Sequence, residues 1–212
     1  MVEVQARAVA GLVRGLGEVA ADVGGGHAQT LGVLRGLGYQ VVVVGSGPLE
    51  ESALWHFYGS EGYEYVCGPL VPLPLEDASV DVAVALRLLA HVPNPRAFAA
   101  ELCRVARRAV VVDYPLEGIA NKVGGALSGL KHALERTPHT RPYTSFTHRH
   151  VEELFATCGF GNPERAGQFV LPMALHRAIG RLELSQKLEG VLRPLAPRYG
   201  SPVIARFERL RR

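Results

Sequence analysis

Apolar residues recur every four positions at Val4, Ala8, Leu12 and Leu16, which predicts a helix over residues 2–17 with one buried face. The pattern then changes. A short apolar run over residues 19–23, interrupted by Asp22, drops into Gly24-Gly25-Gly26. Helical spacing resumes from His27 to Leu37, with Ala28, Leu31, Leu34 and Leu37 in a stripe and Gly38 as the stop. Residues 41–44 are four valines in a row, the composition of a parallel strand covered on both faces. Pro48 opens a short helix through about Trp55, and residues 63–67 predict a third strand, followed by a loop over 68–78. Residues 80–86 predict a fourth strand, apolar except for Asp81.

Asn94-Pro95 reads as a helix cap followed by proline at the first helical position, and Phe98, Leu102 and Val105 mark that helix's buried face. Residues 109–112 predict a fifth strand, ending at Asp113-Tyr114-Pro115. From Leu116 to Arg141 the spacing is helical, with Ile119, Val123, Leu127, Leu130 and Leu134 on one side. Thr147 is an N-cap, with Phe146 placed to staple onto Val151; Leu154, Phe155 and Cys158 continue the apolar face, and Gly159 ends it. Residues 169–175 and 202–207 are the last two strand candidates, with a helix over 182–192 between them. This alternation predicts an α/β, Rossmann-like fold: a mostly parallel sheet with helices on both faces and an antiparallel edge strand.

Strand, glycine turn, helix, strand is the opening unit of a nucleotide-binding α/β fold. Gly24 and Gly26 permit backbone angles closed to residues with a Cβ and let a ligand approach the main chain. The helix start near His27 aims unpaired N–H groups at the same place. A nicotinamide dinucleotide is disfavoured, because the turn lacks a third glycine at the dinucleotide spacing and no acid ends the second strand.

At 212 residues, 48% apolar and 20% charged, the chain reads as one soluble domain, residues 1–212. It has no apolar run of the roughly 18 to 20 residues a membrane span requires and no signal-peptide layout, which predicts a cytoplasmic protein. Cys67, Cys103 and Cys158 are far apart without metal-ligand spacing, so no metal is expected and the three read as buried small hydrophobes. Net charge is +3, carried by twenty arginines and three lysines. Arg104/Arg107/Arg108 and Arg206/Arg209/Arg211/Arg212 read as a solvated helix end and a charged tail, which disfavours nucleic acid as a partner.

Three segments in register resemble the class I S-adenosylmethionine-dependent methyltransferases, in particular the methyltransferase-11-type, small-molecule group. They are Ala21-Asp22-Val23-Gly24-Gly25-Gly26; the stretch from Leu73-Pro74-Leu75 to Ser79-Val80-Asp81; and Leu88-Leu89-Ala90-His91-Val92 followed by Glu101-Leu102-Cys103-Arg104-Val105. The resemblance runs from about residue 19 to 115, and the helix at 147–159 continues it. It implies a seven-stranded sheet with S-adenosyl-L-methionine over the carboxyl ends of the first strands. Gly24, Gly25 and Gly26 would approach its methionine part, with His27 and Gln29 at the helix start and Asp22 organising the turn. Leu86 and Arg87 would flank the methionyl group, and Gly68, Pro69 and Leu70 would lie near the adenine.

Two positions depart from the family. Gly45, with Ser46 beside it, stands where an acid usually binds both ribose hydroxyls, and Pro69 stands where an aspartate usually meets the adenine amino group. Glu50 or Glu51 could substitute. The function implied is methyl transfer to a small, apolar or aromatic acceptor, with residues 116–146 as a helical insertion or lid. Methyl transfer from a sulfonium is a direct displacement that mainly needs alignment, so no catalytic dyad is required. The candidate catalytic groups are His91, Tyr114, Tyr143 and His148, the last two within a cluster that also holds His139, Arg141 and His150. A catalytically inactive methyltransferase-fold binding or assembly protein is the alternative, and a homodimer is left open.

Overall fold

The computed structural model describes residues 2–28, 30–117, 144–167 and 200–211. The expected helices over 116–141 and 182–192, the expected strand over 169–175, and residues Gln29, His139, Arg141 and Tyr143 lie outside the described residues or largely so.

The first helix, α1 (Val2–Val13), stops four residues short of its expected end, because Gly15 and Gly17 take positive φ angles of 75° and 134°. β1 (Val19–Val23) then enters the sheet. The glycine turn becomes a 3₁₀ segment, Gly25–His27, so α2 is confined to Leu31–Gly36. β2 (Gln40–Gly45) contains the four valines. The single helix expected after Pro48 divides into a 3₁₀ turn, Leu49–Glu51, and α3 (Ala53–Tyr58), because the Ser52 hydroxyl accepts the Trp55 N–H and starts a new helix.

β3 (Glu64–Cys67), β4 (Val80–Ala85), α4 (Pro95–Val105) and β5 (Ala106–Tyr114) follow in the expected order. Asn94 Oδ1 caps α4 by accepting the Ala97 N–H at 3.0 Å. α5 (His148–Ala156) is capped by Thr147, whose hydroxyl accepts the His150 N–H at 3.1 Å, and Phe146 and Val151 are buried in one cluster as the staple requires. The last two strands of the described chain are β6 (Phe160–Gly167) and β7 (Val203–Arg209). β6 departs from the sequence pattern, since its run contains Asn162-Pro163-Glu164. Its position at the end of the sheet order accounts for that: an edge strand tolerates a proline that cannot donate a ladder bond, and the register shifts between Gly161 and Glu164.

The sheet order is β3-β2-β1-β4-β5-β7-β6. β1 to β5 pair in parallel, and β7 runs antiparallel to both neighbours, one place in from the edge. The order reverses at β1, with β2 on one side and β4 on the other, so a crevice forms at their carboxyl ends. Alternate residues of the strands feed two cores. Ala21, Ala83, Val110 and Val112 pack under α4 and α5 with Phe98, Leu102 and Phe155, while Ala20, Val82, Val84 and Val111 pack under α1 to α3 with Leu12, Leu31, Leu34 and Leu54. Among the cysteines, Cys103 is buried and its thiol is pushed far up by desolvation, but Cys67 ends the edge strand β3 and is exposed, contrary to the expected burial. Among the described residues, no helix is long and apolar enough to cross a membrane.

Two acids lock the loops at the far ends of these strands. Asp81 accepts the Glu18 and Val19 N–H groups at 2.9 and 3.1 Å, which explains the one polar residue in β4. Glu101 accepts the Leu73 N–H at 2.7 Å and two bonds from Arg104, whose guanidinium also reaches Asp77 and the Leu73 and Leu75 carbonyls. Arg104 thus fastens the loop before β4 to α4. Arg104→Ala is expected to cost about 2–3 kcal/mol in thermal unfolding, from several charge-assisted bonds and stranded carbonyls. A loss below about 0.5 kcal/mol would show that the loop is held otherwise.

Candidate functional site

Backbone groups line the crevice in a row. Gly24, at φ 76°, donates its N–H to the Val44 carbonyl at 2.8 Å, and Gly68 donates to the Gly45 carbonyl at 2.9 Å. The ends of β1, β2 and β3 are thereby tied side by side. Gly24 also takes the Leu88 side chain against it, since a Cβ there would lie 2.6 Å from Leu88 Cδ1. Gly25 sits over the Asp22 carboxyl group, whose Cγ would be 2.5 Å from an added Cβ.

Asp22 is 2% exposed, and among the described residues its Oδ2 has no hydrogen-bond partner. Desolvation by burial raises its pKa to about 7. A buried carboxyl oxygen without a partner among the described residues, beneath a turn in which Gly24 and Gly25 leave no room for a Cβ, suits a ligand group that donates hydrogen bonds or carries positive charge. The turn closes with Ala28, whose N–H donates to Gly25 at 2.9 Å and whose φ is 60°. Left-handed backbone costs an alanine about 1–2 kcal/mol that a glycine avoids.

On the other side of β1, the chain leaves β4 through Leu86 and Arg87. Arg87 adopts φ 62°, and its backbone N–H donates to Asp113 Oδ1 at the end of β5. Burial raises the Asp113 pKa to about 6, opposed by that hydrogen bond and by the charges of Arg87 and His91. Leu86 packs on the α1–α3 side. His91 is exposed on the turn that follows, held by its backbone N–H to the Leu88 carbonyl at 2.8 Å.

Across the sheet, the position where a ribose-binding acid was expected is closed. A Cβ on Gly45 would lie within the Tyr65 hydroxyl group and 2.7 Å from its Cζ. Tyr65 Oη donates instead to the Gly47 carbonyl at 2.5 Å. Beside it, Gly26, Gly47, Pro48, Glu51, Ser52, Ala53 and Tyr65 line a cleft of about 310 Å³. Ser46 is exposed and is not among these lining residues, and Pro69 is exposed while Leu70 packs towards the α4–α5 core. A second depression, about 550 Å³, lies at the amino ends of β1 and β4 around Gly17, Asp81, Arg107 and Arg108. Its carboxylate is already engaged by two backbone N–H groups and two arginines, so it serves as a clamp.

Of the candidate catalytic groups, Tyr114 and His148 are brought together. Tyr114 is 1% exposed and its hydroxyl meets His148 Nδ1 at 2.8 Å. Burial raises the Tyr114 pKa and lowers that of His148, so a protonated phenol donates to a neutral imidazole. The Tyr114 ring packs edge-on against Phe146 on one side and His148, the first residue of α5, on the other. Sequence reasoning missed Asp113 and Tyr65. An acid closing an apolar strand was a visible sign for Asp113; Tyr65 had none, because its role depends on pairing between β2 and β3.

A sheet in the order 3-2-1-4-5-7-6, with β7 reversed and a glycine turn at the reversal point, defines the methyltransferase variant of the Rossmann-like fold. The model of a methyltransferase-domain family matches residues 21–112. Among curated proteins, none matches the sequence. Among solved structures, magnesium protoporphyrin IX methyltransferase from Synechocystis, with S-adenosylhomocysteine bound, is similar at 15% identity and TM-score 0.62, over 98% of this chain and 84% of that one. A Bacillus halodurans protein provisionally classed as a methyltransferase matches at 14% identity and TM-score 0.64, over 97% and 98%. A Haemonchus contortus phosphoethanolamine N-methyltransferase, in complex with S-adenosylmethionine, matches at 12% identity and TM-score 0.60, over 92% of this chain and 49% of that one. Residues 21–112 are a methyltransferase domain of the class I S-adenosylmethionine-dependent type.

S-adenosylmethionine is the cofactor of this class, and the turn fits it. The carboxyl oxygen under Gly25, unpaired among the described residues, and the side-chain-free approach at 24–26 suit the amino-acid end of the molecule. The strained Arg87 backbone, held by Asp113, suits the opposite wall.

Two outcomes follow for this turn. In the ligand-free protein Asp22 is protonated when folded but ionised when unfolded between about pH 4 and 7, so rising pH withdraws stability across that window. Asp22→Asn is therefore expected to gain melting temperature relative to the parent from about pH 5 to about pH 8; parallel curves would contradict the raised pKa. Ala28→Gly is expected to stabilise by about 0.5–1 kcal/mol in chemical denaturation, the strain relieved exceeding the added chain entropy. A destabilised variant would show that packing of the Ala28 methyl group against the α1–α3 core outweighs the strain.

Proposed function

We propose that this methyltransferase acts on a small, apolar or aromatic acceptor bound over the carboxyl ends of β4 and β5, with residues 116–146 as its roof within a single domain. The observation that carries this reading is how the ends of that segment are fastened. Glu117 donates its N–H to the Phe146 carbonyl at 2.7 Å, Phe146 donates to the Pro115 carbonyl at 2.9 Å, and Thr144 donates to the Ala90 carbonyl at 2.9 Å. The segment therefore leaves and rejoins the fold beside the end of β5 and the turn after β4. Between those points the sequence presents Ile119, Val123, Leu127, Leu130 and Leu134 at the spacing of one helical face. In this reading the apolar positions of that segment favour acceptors that gain from leaving water.

When bound, S-adenosylmethionine supplies a methyl carbon made electrophilic by its sulfonium leaving group. The chain's own residues then have two tasks: to hold donor and acceptor in line and to exclude water. Asp113 fixes the Arg87 backbone between the two substrates' positions. In this reading His91, exposed near Asp113, takes a proton from an acceptor hydroxyl or amine that arrives protonated. Tyr114 and His148 support the floor through the bond between the buried Tyr114 hydroxyl and the half-buried His148 ring. Tyr143 belongs to the proposed roof.

Calorimetric titration with S-adenosylhomocysteine, followed by incubation with methyl-labelled cofactor and a panel of aromatic and polar acceptors, tests the reading. Micromolar binding and label transferred to aromatic acceptors are expected. Transfer confined to small polar amines would reject the apolar acceptor, and no heat at millimolar ligand would favour the inactive, binding-protein alternative.

A further inference from the structure

Tyr65 pairs in register with Val43, and Val43 and Gly45 face the same side of the sheet. The Tyr65 ring therefore runs along the strand and over Gly45, filling the volume that any side chain there would need. Its hydroxyl is fixed by donating to the Gly47 carbonyl at 2.5 Å, and burial above all pushes its pKa up, so the phenol stays protonated. With its proton committed, the oxygen keeps a lone pair to accept a hydrogen bond. The ring lines the 310 Å³ cleft that begins at Gly26 of the cofactor turn, and Glu51 is the acidic residue among those lining it. Ser52 lines the cleft too, but its hydroxyl already donates to the Leu49 carbonyl at 2.5 Å and accepts the Trp55 N–H at 3.2 Å.

We propose that the two ribose hydroxyls of S-adenosylmethionine are held in this cleft by the Glu51 carboxylate and the Tyr65 phenol oxygen, which together replace the acid that the end of β2 lacks. Both hydroxyls donate, one to each oxygen. Gly45 is then not a lost function but the space that Tyr65 requires. This inference rests on the cofactor reading of the glycine turn, and its test separates the two.

The experiment is calorimetric titration of the full chain with S-adenosylhomocysteine and with its 2′,3′-dideoxy analogue. Glu51→Gln is expected to weaken S-adenosylhomocysteine binding about tenfold and Tyr65→Phe about fivefold, while neither changes affinity for the analogue. Ligand selectivity is a readout that a merely structural role would not give. Gly45→Asp combined with Tyr65→Ala is expected to bind S-adenosylhomocysteine more tightly than Tyr65→Ala alone, because removing the ring frees space for the acid. Unchanged affinity in Glu51→Gln and Tyr65→Phe, or equal losses for both ligands, would overturn the proposal and leave the cofactor reading intact. A parent that binds neither ligand would overturn both.

Discussion

Space at the carboxyl ends of the parallel strands is the constraint on which the site depends. A Cβ at Gly24 would meet Leu88, at Gly25 the Asp22 carboxyl, at Gly45 the Tyr65 ring and at Gly68 the Pro74 ring. These neighbours come from four different stretches of the chain, and each is close enough that no side chain fits between it and the backbone. The site is consequently built from main-chain N–H and carbonyl groups held side by side, with a few side chains filling in behind them. That arrangement is well matched to a ligand gripped along its length, because backbone groups fixed by a sheet lose little entropy when they bind.

The charged residues divide according to how this packing treats them. Asp81 and Glu101, at the loops away from the crevice, have backbone and arginine partners that outweigh their desolvation and hold their pKa values low. Their contribution to stability is present above the ordinary carboxylate range and lost as pH falls below it. Asp22 and Asp113, at the crevice, are buried so deeply that desolvation outweighs what their partners return, and their pKa values rise to about 7 and about 6. Stability is withheld at the crevice, which is the pattern expected when a site is arranged for a group that the folded chain does not itself supply.

Periodicity carried most of the fold. The valine run of β2, the proline cap of α4 and the Thr147 cap of α5 each depend on neighbours within a few residues, and each stands in the structure as the sequence predicts. β6 was illegible because Pro163 and the charged pair Glu164-Arg165 break strand patterning, and only its place at the sheet edge makes them tolerable. The glycine turn and its resemblance to the methyltransferases pointed to the crevice, but the meaning of Gly45 was not legible. A glycine in place of an acid reads as a deletion until the register of β2 against β3 puts Tyr65 over it. The same holds for Asp113, whose importance comes from the Arg87 backbone, 26 positions away in sequence.

The central claim is that the cofactor lies along the crevice from the glycine turn to the Tyr65–Glu51 cleft. Amide hydrogen–deuterium exchange with and without S-adenosylhomocysteine tests it most directly. Protection is predicted at residues 24–28, 45–52 and 86–88, on three separate strand ends that only this crevice brings together. Protection confined to residues 15–19 and 107–108, around the clamp at the opposite end of the sheet, would contradict the account.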